Sequence, residues 1–273
     1  MQRLVEGIRE GRVDERLGNG CFETMRAYQG RIFRLGSHLD RLYASAQTLQ
    51  TRPPKDRAGL ARQLTGALAR SGIQEAVVRV ALMPQARGEA RPSIVVHTAE
   101  LPPQAAYRDG LRVVVVPARK FSVASIDPQS KYSARLGSVL AVQDAQLRGG
   151  DEALFMDGRG YVTESTASNF GIVARGEILT APAWLGLLWG ITRDVLFETA
   201  KDLRLTIRAV PLTRHDLYNA DEAFLTSTLK EVMPVTRIDG RPIGTGRPGP
   251  VTKRLLGAFR RLVERELKIH LTG

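Results

Sequence analysis

The stretch "GNGCFETMRAYQGRIFRLGSHLDRL", residues 18–42, decides how the first part of the chain folds. "CFETMRAY", the pair Gln29-Gly30 and "RIFRL" read as strand, glycine turn and strand, a β-hairpin. A helix begins directly afterwards at "SHLDRLYASAQTL", with Ser37 as the expected N-cap and Asp40, three residues on, where a capping-box acid would sit. Leu39, Leu42, Ala46 and Leu49 fall on one face at helical spacing. Moving outward, a second helix is predicted over 56–70, stopping at Ser71-Gly72, followed by the β-rich runs "EAVVRVALMP" and "PSIVVHTAEL". "LPPQ" at 101–104 reads as a linker. The expected organisation is a small α+β domain over 1–104 and a larger domain over 105–273.

The second domain is predicted to be β-rich with helices, of mixed α+β and α/β character. "GLRVVVVPAR" reads as a short buried strand, and a helix is expected over about 134–148, ended by Gly149-Gly150. Two hairpins follow, "EALFM-DGRG-YVTES" and "NFGIVA-RG-EILTAP". "ITRDVLFETAKDL" is helical with Val195, Leu196 and Ala200 inward, "LTIRAVPL" and "EAFLTST" are strands, and "VTKRLLGAFRRLVEREL" is a terminal amphipathic helix.

Composition narrows the function. With 43% hydrophobic and 25% charged residues the 273-residue chain is an ordinary soluble one, long enough for two cores. No apolar run approaches the length of a membrane span, and "MQRLVEGIREGRVDERLG" lacks the apolar segment of a secretory signal. The single cysteine, Cys21, cannot form an internal disulfide and is expected as a small buried hydrophobe, which fits a reducing cytoplasm. The net charge of +12 is scattered, with no basic run of five and no aromatic-interleaved patch. Anionic small ligands suit it better than nucleic acid. No metal site is expected.

Lysine is scarce: seven against thirty-three arginines. Lys131, in "DPQSKYSARLGSVLAVQDAQLRGG" (127–150), stands at a strand-to-helix junction among small and apolar neighbours, where an amine could serve an imine. It could equally be a surface charge. Glu164, in "YVTESTASNF", lies on a strand beside Val162 and Phe170 and needs a cationic partner, either a protonated ring nitrogen or one of the many arginines. In "LWGITRDVLFETA", Gly190 precedes a helix whose Ile191 and Thr192 amides, with the Thr192 hydroxyl, could cup a phosphate, although such a sequence is also common simply as a cap. Thr226, Ser227 and Thr228 offer further hydroxyls, and Arg41 a bidentate charge. An imine lysine, a carboxylate for a ring nitrogen and a phosphate cup are the needs of pyridoxal phosphate.

These motifs, in this order, resemble the fold-type IV pyridoxal-phosphate enzymes: branched-chain aminotransferases, D-amino-acid aminotransferases and aminodeoxychorismate lyases. The resemblance runs over Gly20-Cys21-Phe22-Glu23, the His-x-x-Arg-Leu of His38–Leu42, "KYSARLGSVLA", "VTESTASNF" and "GITRDVL". It implies that Lys131 holds the cofactor as an internal aldimine and shuttles the substrate proton, and that Glu164 pairs with the pyridine nitrogen. It implies that Arg41, the Ile191 and Thr192 amides, Ser227 and Thr228 bind the phosphate, that Leu188 packs on the ring face, and that the protein is a homodimer. Thr24 stands where the branched-chain enzymes usually have glycine, and "FLTST" is nearer the lyases. Arg26, Arg79 and Arg87 are candidate binders of a substrate carboxylate, with Thr24 beside them. The expected reaction is transfer of an amino group between an amino acid and a 2-oxo acid. The alternatives are a lyase that releases pyruvate from aminodeoxychorismate to give p-aminobenzoate, and a basic binding protein that keeps the fold without catalysis.

Overall fold

The computed structural model describes residues 20–85, 88–120 and 127–271. The chain divides into two compact units. One comprises the chain up to Ala99 together with Ser130–Leu136; the other comprises Glu100–Gln129 together with the chain from Gly137 onward. Ser130–Leu136, which carries Lys131, therefore belongs with the first unit although it lies far along the sequence.

In the first unit, β1 (Cys21–Tyr28), β2 (Arg31–Ile32), β3 (Ala76–Leu82) and β4 (Pro92–Thr98) form an antiparallel sheet in the order β2-β1-β3-β4. Gln29 (φ 47°) and Gly30 (φ 73°) turn the first hairpin with two left-handed residues, the twist that a tight hairpin needs. Strand alternation sorts β1 into two faces. Cys21, Met25 and Ala27 join Val78, Val80 and Leu82 in a core closed by Leu39, Leu42 and Ala46 of α1 (Leu35–Thr48) and Leu60, Leu64 and Leu68 of α2 (Arg57–Ser71). Phe22, Thr24 and Arg26 take the opposite face, where Thr24 pairs across the ladder with Arg79.

Helix α1 begins at Leu35, earlier than Ser37 suggested. Arg34 adopts a left-handed conformation (φ 52°) that turns β2 straight into the helix, so no side-chain cap is used. Ser37 and Asp40 thus lie inside the helix, and Asp40 pairs with Arg57 at 2.6 Å. Leu49 is the helix C-cap and only partly buried. Helix α2 matches its expectation closely: Asp56 accepts from the Gly59 amide at 2.7 Å, and Gly72 ends the helix at φ 67°.

In the second unit, α3 (Gln104–Asp109) starts inside the "LPPQ" segment and leads into β5 (Leu111–Arg119). Helix α4 (Leu136–Leu147), β6 (Glu152–Met156), β7 (Val162–Ser165), β8 (Asn169–Ala174) and β9 (Glu177–Thr180) follow. After them come α5 (Ile191–Asp202), β10 (Ile207–Ala209), α6 (Arg214–Tyr218), β11 (Glu222–Ser227), β12 (Glu231–Ile238), β13 (Arg241–Pro242) and α7 (Pro250–Leu267). The strands run β10-β9-β8-β11-β12-β5-β6-β7, and a Glu164–Asn169 pairing joins β7 back to β8, closing six strands into a ring. Val113 and Val115 of β5 point into the ring core with Leu154, Phe170, Ile172 and Leu225. Val114 and Val116 face the other way, against Ala141 and Ala145 of α4. The run "VVVV" is apolar on both sides because both sides are covered. Fully burying each such side chain stabilises the fold by about 1.5–3 kcal/mol. Strand β12, which the sequence pattern does not announce, pairs with both β11 and β5.

Candidate cofactor site

Glu164 sits on β7, 7% exposed, at the pairing that closes the ring. Its Oε2 accepts from the Leu188 amide at 3.0 Å and from Asn169 Nδ2 at 3.3 Å, while Oε1 pairs with Lys120 Nζ at 2.5 Å. The cationic partner of the buried acid is thus a lysine. Asn169 Nδ2 also donates to the Leu188 carbonyl at 2.8 Å, so one side chain ties the carboxylate to the loop before α5.

That loop ends in the expected helix mouth. Gly190 is the N-cap of α5, and Ile191 and Thr192 are its buried first residues. Amides of a first helical turn have no partner within the helix, and the helix dipole adds positive potential there. The glycine is required by close approach. A Cβ at position 190 would collide with Asn169 Oδ1. Ser227 ends β11, its Oγ accepting from the Lys230 amide at 3.2 Å; Thr228 is half-buried beside it, and Thr226 is buried. Lys230 in turn pairs with buried Glu152 at 2.5 Å, which anchors the turn to β6. A carboxylate, a helix mouth and hydroxyls, all within one unit, are a donor set that suits a protonated heterocycle carrying a phosphate.

In the first unit, Lys131 is held by its backbone. Its carbonyl accepts from the Phe22 amide at 3.1 Å and its amide donates to Ser45 Oγ at 3.0 Å. The ammonium lies over the Phe22 ring, 4.7 Å from its centre, and the Arg79 guanidinium lies over the same ring at 4.3 Å. Arg26 stacks on Tyr28 at 4.0 Å and pairs with Glu75 at 3.4 Å. Arg87 falls outside the described residues. Arg41, expected toward phosphate, makes a bidentate pair with fully buried Glu23, Nε to Oε1 at 2.6 Å and NH2 to Oε2 at 2.8 Å. His38 Nδ1 completes the group at 2.8 Å from Glu23 Oε2.

Sequence reasoning missed Lys120, Asn169 and the role of Glu23. The scarcity of lysine that drew attention to Lys131 applied equally to Lys120. Asn169 and Glu23 carry no spacing signal; only the strand register shows what they meet.

The chain matches the family model described as amino-transferase class IV over residues 20–238. It belongs to the class IV amino-transferases. It is 33% identical over 267 residues to the branched-chain-amino-acid aminotransferase of Pseudomonas aeruginosa, covering 93% of this chain and 87% of that one. It is 31% identical over 252 residues to the D-alanine aminotransferase of Listeria innocua, covering 89% and 86%. A solved T.th. branched-chain amino acid aminotransferase with pyridoxamine 5'-phosphate superposes with a TM-score of 0.85 at 32% identity, over 89% of this chain and 85% of that one. This class IV aminotransferase has the fold-type IV architecture and is a pyridoxal-phosphate-dependent transaminase. No helix among the described residues is long and apolar enough to cross a membrane.

Proposed function

We propose that Lys131 supplies the amine that holds pyridoxal phosphate in this aminotransferase and, once released, moves the proton at the substrate α-carbon. When bound, the cofactor supplies an electron sink for the developing carbanion. Glu164, which here pairs with Lys120, would meet the ring nitrogen and favour its protonated form, and Leu188 would line the ring site. The Ile191 and Thr192 amides, the Thr192 hydroxyl, Ser227 and Thr228 would receive the phosphate; the Arg41 guanidinium, neutralised by its bidentate pair with Glu23, would contribute to it only secondarily. One observation carries the assignment: the five residues Leu188–Thr192 hold the Glu164 carboxylate at one end and open the helix mouth at the other, fixing a ring-nitrogen partner relative to a phosphate cup.

Arg79 is the candidate we favour for the substrate carboxylate, because its guanidinium lies over the same Phe22 ring as the Lys131 ammonium. Thr24, opposite Arg79 in the ladder, lies on the same face of the sheet. The names of the relatives point to an aliphatic amino acid as amino donor. We further infer a cytoplasmic homodimer: Cys21 is a buried free thiol, and α4 presents an apolar face.

A substrate panel followed by cofactor absorbance tests the reading. Adding a branched-chain L-amino acid or D-alanine without acceptor is expected to release one 2-oxo acid per site and shift the absorbance. Fast release of pyruvate from aminodeoxychorismate, with no such shift, would identify a lyase, the reaction that Thr24 and "FLTST" leave open.

A further inference from the structure

Arg193 is the largest fully buried side chain among the described residues, 1% exposed. Among those residues no carboxylate pairs with it, and its Nε and NH1 have no hydrogen-bond partner. The neighbouring acid, Asp194, is bonded by the Trp189 indole N–H. A buried guanidinium without a counter-ion is unfavourable, so the contacts it does make are informative. NH2 donates to the Ala181 carbonyl at 3.0 Å, and the guanidinium lies 4.5 Å over the Trp189 ring and 5.0 Å over Phe197. Ala181 and Trp189 are the two ends of the loop from β9 to α5. Inside that loop Ala181, Leu185 and Leu187 pack together, and Leu188 presents its amide to Glu164.

We propose that Arg193 is a positioning residue: it pins both ends of the 181–189 loop to the first turn of α5, holds the Leu188 amide against Glu164, and so sets the orientation of the carboxylate that meets the cofactor ring. The inference rests on the assignment of Glu164 above. Arginine suits the task because one planar fork must reach a carbonyl while lying on two aromatic rings.

Arg193→Met keeps the length and the apolar packing but removes the fork and the unpaired charge, a change that buried charges tolerate when the volume is filled. Hydrogen exchange over residues 181–190 of the apoprotein is expected to quicken about tenfold, with the rest of the chain unchanged. Pyridoxal-phosphate affinity is expected to fall about tenfold in R193M but less than about threefold when Glu164→Gln is already present, because the two residues act through one network. Arg193→Lys, which keeps the charge without the fork, should behave like R193M. Unchanged exchange over 181–190, or equal losses of affinity in both backgrounds, would overturn the proposal, since a merely structural arginine gives additive effects. Failure of the wild-type protein to bind pyridoxal phosphate would count against the Glu164 assignment instead, and the exchange result would still decide whether Arg193 holds the loop.

Discussion

Glu23 is wholly enclosed, facing the Arg41 guanidinium and the His38 imidazole from a single helix. Burial alone would raise its carboxyl, but Arg41 and His38 outweigh it and bring the group from 4.5 down to about 2. Burial likewise drives His38 below its ordinary 6.5, with the positive charges of Arg41 and Lys131 acting the same way and the bond to Glu23 opposing them. In both cases the unfolded chain binds the proton more readily, so the stabilisation is complete at neutral pH and is lost on acidification. The loss starts as pH falls through 6.5 for His38 and continues from 4.5 toward about 2 for Glu23. Urea unfolding followed from about pH 7 to about pH 3 should show that decline, and a flat profile would refute it. Glu23→Gln should remove the lower part of the decline and cost about 3 kcal/mol at neutral pH, because it takes the charge of a fully buried acid away from its pair with partly buried Arg41. The sequence showed Glu23 and the His-x-x-Arg-Leu pattern as two separate motifs, and nothing in it showed that they pair.

At the scale of elements, the loop from β9 into α5 is the most exacting. Gly190→Ala places a methyl where Asn169 Oδ1 lies, so Asn169 must swing away from Leu188 and Glu164. The substitution is expected to destabilise the protein by about 1–3 kcal/mol and to weaken cofactor binding, as read by urea unfolding and a pyridoxal-phosphate titration. Adding Asn169→Ser should recover part of the stability and not the affinity. Elements set by local chemistry were legible beforehand: the Gln29-Gly30 and Arg175-Gly176 turns both use paired left-handed residues, and Gly72 closes α2 as anticipated. The start of α1 departs from expectation because the left-handed Arg34 replaces a side-chain cap, a choice made by the preceding turn and not by Ser37. Strand β12 is hidden because Pro234 interrupts its apolar run, and the strand stands only through its neighbours β11 and β5. Arg193 is concealed by number, one arginine among thirty-three.

For the whole molecule, α4 raises the question of assembly. Ala141 and Ala145 pack inward, whereas Leu136, Val139, Leu140 and Leu147 are exposed, Leu147 by 89%. Asp144 is the only charged residue on the helix. In a chain of net charge +12, an uncharged apolar face is where a second copy can approach with least repulsion. If α4 forms the proposed homodimer's interface, Leu140→Arg is expected to make the protein sediment as a monomer where the unaltered chain sediments as a dimer, with its circular dichroism unchanged. Dimers that persist in that variant would place the interface elsewhere. The expected division of the chain at 104 did not foresee that Ser130–Leu136 packs with the first unit. Backbone bonds from Phe22 and Ser133 and a bridge from Cys21 to Tyr132 hold it there, and such long-range pairing leaves no periodic trace.

Lys131 and Lys120 give the central claim its sharpest test, since Lys120 pairs with the proposed ring-nitrogen acid Glu164 while Lys131 is assigned the attachment. Purified protein loaded with pyridoxal phosphate, reduced with borohydride, digested and mapped by mass spectrometry should carry the phosphopyridoxyl label on Lys131 and lose it in Lys131→Ala. A label on Lys120, or on no lysine, would contradict the account.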